Sequence, residues 1–140
     1  MQRLTTKGHS VKGIGRSQQK IEHLKANGLQ VYRCDLLDLE ALKSHTNNVD
    51  VIVHCAAYAA PFGRKSQFFS TNVRGLEHVF KAVGNSGARV IVVSSASVFD
   101  GNNETILHGD ETPLKRPKHP YGASKYDAEC LAATMPSKAW

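Results

Sequence analysis

The stretch Val51-Ile52-Val53-His54-Cys55-Ala56-Ala57 decides the fold. It is an almost continuous apolar run, preceded by Asp50, without alternating polar positions. Such a run suits a strand covered on both faces, as in a parallel sheet. Ala88 to Ser94 has the same character and leads into the hydroxyls Ser94, Ser95 and Ser97. Between the two runs, Ser66 to Asn85 carries Phe69, Val73, Leu76, Val79, Phe80 and Val83 as a helical apolar stripe. Strand, helix and strand with short connections make a parallel βαβ unit.

The pattern continues outward in both directions. Gln2 to Lys7 reads as the last turn of a helix, closed by Gly8. His9 to Arg16 is a strand. Ser17 suits the N-cap of a helix over Gln18 to Asn27, with Ile21 and Leu24 on one face and Gly28 at its end. Leu29 to Cys34 is the next strand, and Asp38 to Thr46 a short helix with Leu39 and Leu42 inward. Downstream, Gly87 caps the long helix. A polar loop with Gly101, Pro113 and Pro117 runs from Asp100 to Lys118. A last helix starts near His119 or Pro120 and stops at Pro136. Right-handed crossovers then place helices on both faces of a Rossmann-like, doubly wound parallel sheet. The predicted fold class is α/β, in a single domain spanning residues 1–140.

Composition bounds the function. Hydrophobic residues make up 41% and charged residues 21% of 140, ordinary for a globular domain. No apolar run approaches the roughly 18–20 residues of a membrane span, and the N-terminus lacks the apolar core of a signal peptide. The three cysteines, Cys34, Cys55 and Cys130, form no Cys-x-x-Cys pair and no Cys/His ligand spacing. They read as reduced thiols of a cytoplasmic protein with no metal site. The net charge of +6 is scattered rather than blocked, which describes a solvated surface and not a nucleic-acid partner.

The chemistry lies in Tyr121-Gly122-Ala123-Ser124-Lys125. Tyrosine and lysine four apart share one face of a helix. A phenol ordinarily titrates near pH 10, so it carries protons poorly at neutrality. An adjacent ammonium favours the phenolate and corrects this. Upstream, Val92 to Phe99 is a β-branched run ending in hydroxyls, which reads as a buried strand delivering Ser95 at its C-terminal end, the edge where open α/β sheets bind ligands.

Together these features resemble the extended branch of the short-chain dehydrogenase/reductase superfamily, which includes 3β-hydroxysteroid dehydrogenase-like enzymes and sugar-nucleotide epimerases and dehydratases. The resemblance covers about residues 8 to 134. It rests on Tyr121-x-x-x-Lys125, on Ser95-x-x-Val98-Phe99, on Asn72-Val73-Arg74-Gly75-Leu76 (where the usual Thr is Leu76) and on His54-Cys55-Ala56-Ala57. It implies that Ser95 orients a substrate carbonyl or alcohol, Tyr121 passes the proton, and Lys125 lowers the tyrosine pKa and binds the nicotinamide ribose. Asn72 would support Lys125 through a water, although a solvent-facing Asn is an equal reading. Ala56 and Ala57 would let the backbone approach the cofactor, or would serve tight packing. Asp35 would bond the adenine amino group with Leu36 flanking the ring, unless Asp35 simply starts a helix. Arg16, with the small Ser17 beside it, suits a 2′-phosphate, which favours NADP over NAD. Ser94 and Ser97 compete with Ser95, which alone fits the Ser-x-x-Val-[Tyr/Phe] spacing.

The implied activity is hydride transfer between NADP and a carbinol or ketone, such as a sterol-like alcohol. Nucleotide-sugar epimerisation or dehydration and a non-catalytic interaction module are the alternatives. The implied partner is a small-molecule substrate, with a homodimer for the full-length relative. Relatives begin with a strand and a Gly-x-x-Gly-x-x-Gly turn that cradles the pyrophosphate, and they end in a substrate domain. Neither is recognisable here; Gly13-x-Gly15 lies late in a strand. The expectation is a partial domain whose central strand is missing, leaving two neighbours without ladder partners. Made alone, such a chain is expected to fold poorly or aggregate and to be inactive. A cooperative thermal melt together with tight NADPH binding would refute that.

Overall fold

The computed structural model describes residues 1–84, 86–101 and 115–135. The elements run α1 (Gln2–Thr5), β1 (Lys12–Gly15), α2 (Gln18–Ala26), β2 (Gln30–Arg33), α3 (Leu39–Thr46) and β3 (Val51–His54). Then follow α4 (Lys65–Phe69), a π-helical turn (Ser70–Arg74), α5 (Gly75–Val83), β4 (Arg89–Val92), a 3₁₀ turn (Ala96–Phe99) and α6 (Pro120–Ala133). The strands are parallel, β1 with β2 and β3 with β4. The order of strands and helices is the Rossmann-like α/β alternation. Among the described residues, the two pairs form separate two-stranded sheets.

Local chemistry sets the boundaries. Gly8 and Gly28 take φ of 85° and 75°, the left-handed turn that stops a helix at low cost. Ser17 accepts from the Lys20 amide at 3.4 Å, and Asp38 from the Ala41 amide at 3.0 Å. Asp38 therefore starts α3, and Asp35 instead closes a small turn on the Leu37 amide at 2.9 Å. The long helix ends at Gly84 (φ 49°), not at Gly87, which turns the chain into β4. Asn85, Pro113 and Pro136 lie outside the described residues.

The long helix also differs from its expected stripe. The π turn inserts a residue and rotates everything before it. Phe68 is therefore the buried phenylalanine, and Phe69 lies half-buried under Lys65 and Arg116. Asn72 takes the inward place expected of Val73.

Successive strand residues face opposite layers. In β2, Val31 lies beneath Met1, and the Tyr32 ring meets His45 of α3 at 5.2 Å. Ile14 and Tyr32, paired on that second face, still stand 38% and 41% exposed. In β3 and β4, Ile52, Val90 and Val92 pack on Val79 and Val83 of α5. Leu36, beyond β2, joins the same cluster, and α3 packs along α5. The two half-sheets therefore share one helix layer and one core. On the opposite face of β3 and β4, Val51, Val53, Ile91 and Val93 stand 38–51% exposed.

That asymmetry makes two valines of the paired strands unequal. Val90→Ala, at 2% exposure, is expected to cost about 1–3 kcal/mol in urea unfolding, because burial of a valine is worth that much. Val53→Thr is expected to stay within about 0.5 kcal/mol of the parent, as surface substitutions do.

Candidate functional site

Parallel strands deliver their C-terminal ends to one edge, and every candidate residue lies at or beside it. At the ends of β3 and β4, the Lys125 ammonium donates to the Val93 carbonyl at 2.6 Å. The Val93 amide in turn donates to the His54 carbonyl at 3.1 Å. Lys125 and His54 are both buried. Burial pushes the Lys125 pKa below its ordinary value, opposed by the Glu129 carboxylate and the Cys55 thiol. Burial, reinforced by the Lys125 charge, brings the His54 imidazole down to about 4.

The 3₁₀ turn that Ser95 caps packs against α6, the helix of Tyr121. Ser95 is not the strand terminus; β4 ends at Val92, and Ser95 caps the 3₁₀ turn by accepting from the Ser97 amide at 3.3 Å. That turn abuts α6 at Gly122, where a Cβ would lie 2.6 Å from the Ser97 carbonyl oxygen and 3.0 Å from Pro117. His119 caps α6, its ring accepting from the Tyr121 amide at 3.3 Å. The Tyr121 ring lies 6.3 Å from Phe68, which meets Tyr58 edge-on at 4.9 Å and His119 at 6.4 Å. Lys125 follows one helical turn after Tyr121, on the same face of α6.

Asn72 sits behind this pair. Its Oδ1 accepts from the Tyr58 amide at 2.7 Å. Its Nδ2 donates to the Tyr58 carbonyl at 3.2 Å and to Ser124 Oγ at 2.8 Å. These bonds reach Tyr58 and Ser124, whereas the Lys125 ammonium turns to Val93. Ser124, Tyr58, Phe68 and His119 were not singled out from the sequence. The small run Gly122-Ala123-Ser124 was the available signal, since it marks a helix start packed closely against its neighbours.

The remaining candidates lie at the ends of β1 and β2. Arg16 pairs with Asp35 at 3.9 Å, both well exposed. Ser17 spends its hydroxyl on capping α2. Leu36 packs on Gly75 of α5, and its carbonyl accepts from His78 Nδ1 at 3.1 Å. Cys55, Ala56 and Ala57 emerge exposed from β3. The edge therefore offers a buried ammonium, a phenol, a serine hydroxyl, small exposed backbone and an outer carboxylate–guanidinium pair. Among the described residues, no three His, Cys, Asp or Glu side chains are grouped to hold a metal. No helix among them is long and apolar enough to cross a membrane.

Two outcomes follow from the packing. Gly122→Val places carbon against the Ser97 carbonyl. It is expected to cost about 1–3 kcal/mol in urea unfolding, as overpacking does. His54 binds its proton less readily folded than unfolded, so its contribution is present above its ordinary pKa of 6.5 and fades as pH falls toward about 4. Unfolding free energy should decline by up to about 1.4 kcal/mol per pH unit across that window, and His54→Gln should flatten the decline.

The sequence matches the NAD dependent epimerase/dehydratase family over residues 1–138. It is 32% identical over 130 residues to the 4-hydroxy-2-methyl-3-oxo-4-farnesyl-3,4-dihydroquinoline-1-oxide ketoreductase of Stigmatella aurantiaca, covering 91% of this chain and 39% of that protein. It is 30% identical to the UDP-glucose 4-epimerase of Streptococcus mutans, covering 71% and 32%. A short-chain dehydrogenase/reductase superfamily protein of Agrobacterium tumefaciens, solved with bound NAD, superposes with a TM-score of 0.76 at 26% identity, covering 93% of this chain and 38% of that one. The chain thus spans about two fifths or less of the length of these proteins. The chain belongs to the NAD dependent epimerase/dehydratase family.

Proposed function

We propose that this edge binds a nicotinamide dinucleotide and supports hydride transfer between it and a carbinol or ketone. The observation that carries the reading is the buried Lys125 ammonium at the tips of β3 and β4, one helical turn from Tyr121 and beside the Ser95 turn. The cofactor, when bound, gives or takes the hydride. The chain's own residues handle the proton and the orientation. Ser95 keeps a hydroxyl hydrogen to offer a substrate oxygen, since its Oγ acts toward Ser97 as an acceptor. Tyr121 exchanges the proton with that oxygen. Lys125 supplies the positive charge that favours the phenolate. It holds only a backbone carbonyl among the bonds described for it, so its other two protons suit ribose hydroxyls.

The residues fit the nicotinamide end of such a cofactor and the adenine end through Asp35. The sequence contains no Gly-x-x-Gly-x-x-Gly turn to supply amides to the pyrophosphate. The choice between NAD and NADP turns on Arg16. Its pairing with Asp35 partly cancels the charge a 2′-phosphate would need, and the Agrobacterium protein holds NAD; both support NAD. NADP preference rests on Arg16 alone.

A ketone of largely apolar character is the first substrate reading. The ketoreductase match spans more of this chain than the epimerase match, and Phe62 stands 87% exposed in the loop after β3. The epimerase relative supports a nucleotide sugar as the second reading.

Titration of the chain with NADH and NADPH tests the cofactor reading. NADH is expected to bind at least as well as NADPH, and Arg16→Glu to weaken NADPH about tenfold while leaving NADH within about threefold. A tenfold NADPH preference in the parent chain would restore NADP, and no binding of either would refute the site. In a preparation that turns over an apolar ketone, Tyr121→Phe is expected to cut kcat by about 10²–10⁴ with binding retained.

A further inference from the structure

We propose that Ser124 is a positioning residue, whose hydroxyl locks the helix bearing Tyr121 and Lys125 to the loop after β3 through Asn72; this rests on the nicotinamide reading above. Ser124 is fully buried in the middle of the motif. Its Oγ donates to the Tyr121 carbonyl at 2.7 Å and accepts from Asn72 Nδ2 at 2.8 Å. Asn72 grips both backbone groups of Tyr58. A single line of hydrogen bonds thus runs from the loop through the π turn to the first turn of α6. It crosses three segments far apart in sequence, and the Lys125 to Val93 bond closes the figure on the sheet.

The chemistry of the serine suits that role. Asn72 has two N–H donors, and Tyr58 takes one; the other needs a buried acceptor, which only an oxygen can provide. Alanine at 124 would leave that donor without its acceptor and the Asn72 amide free to turn. The Tyr58 amide, bonded to the same side chain, would loosen with it. Because Tyr121 and Lys125 flank Ser124 on one helix, a small rotation of α6 moves both reacting groups together, and misplacement on this scale is costly to a pre-organised site.

Two measurements on the 140-residue chain decide it, using Ser124→Ala and a remote control, Thr46→Ala, which deletes a buried hydroxyl bonded to the Ala82 carbonyl. Ser124→Ala is expected to speed hydrogen exchange of the Tyr58 amide about tenfold while leaving the Leu42 amide unchanged, and to weaken NADH binding about fivefold. Thr46→Ala is expected to lower the melting temperature but leave Tyr58 exchange and NADH affinity at parent values. Unchanged Tyr58 exchange in Ser124→Ala overturns the lock. Equal weakening of NADH by both variants overturns the positioning role and leaves a merely structural one. Failure of the parent chain to bind NADH refutes the nicotinamide reading instead, and Tyr58 exchange still decides whether the lock exists.

Discussion

A lysine ammonium shut away from water must be met by an acceptor, and in this protein the acceptor is the carbonyl of Val93. The bond is short and partly buried, so breaking it without replacement would leave the ammonium short of an acceptor. It ties α6 to the tip of β4, and the turn between them falls where Ser95 sits. Gly122 lets the helix approach the Ser97 carbonyl closely enough for the bond to form. The same charge reaches His54 on the neighbouring strand and helps hold its imidazole neutral.

The π turn supplies the second anchor. A π turn is a rare departure from the α-helix, and it persists where side-chain bonds compensate. Here it turns Asn72 into the interior, where the amide satisfies two backbone groups of the loop and one serine of α6. The cost of interrupting the helix is set against a buried polar network in which every member is bonded. Phe68 gains burial from the same rotation and becomes the hub of the ring cluster around Tyr121.

Each half-sheet has one better covered face. In β1 and β2, Val31 is buried while Ile14 and Tyr32 on the other face stay partly exposed. In β3 and β4, Ile52, Val90 and Val92 pack on α5 while Val51, Val53, Ile91 and Val93 meet solvent. The shared core of Leu36, α3 and α5 carries the connection between the halves.

Much of this was legible from residues alone. Apolar runs at Val51 to Ala57 and Ala88 to Ser94 marked parallel strands, although among the described residues only one face of these strands packs on a helix. Capping by Ser17 was readable because short polar side chains bond the first amides of a helix locally, whereas the start of α3 fell to Asp38 rather than Asp35. Tyr121 and Lys125 were readable because helical spacing is a local rule. Tertiary structure alone decided what depends on long-range contact: that Phe68 and not Phe69 is buried, that Gly84 ends the helix, that Asn72 bonds Tyr58 and Ser124, that Asp35 pairs with Arg16, and that Lys125 turns to Val93. Local periodicity assumes an uninterrupted helix and carries no information about partners 14, 32 or 52 residues away. Those partners are chosen by which buried donors and acceptors the packing brings together.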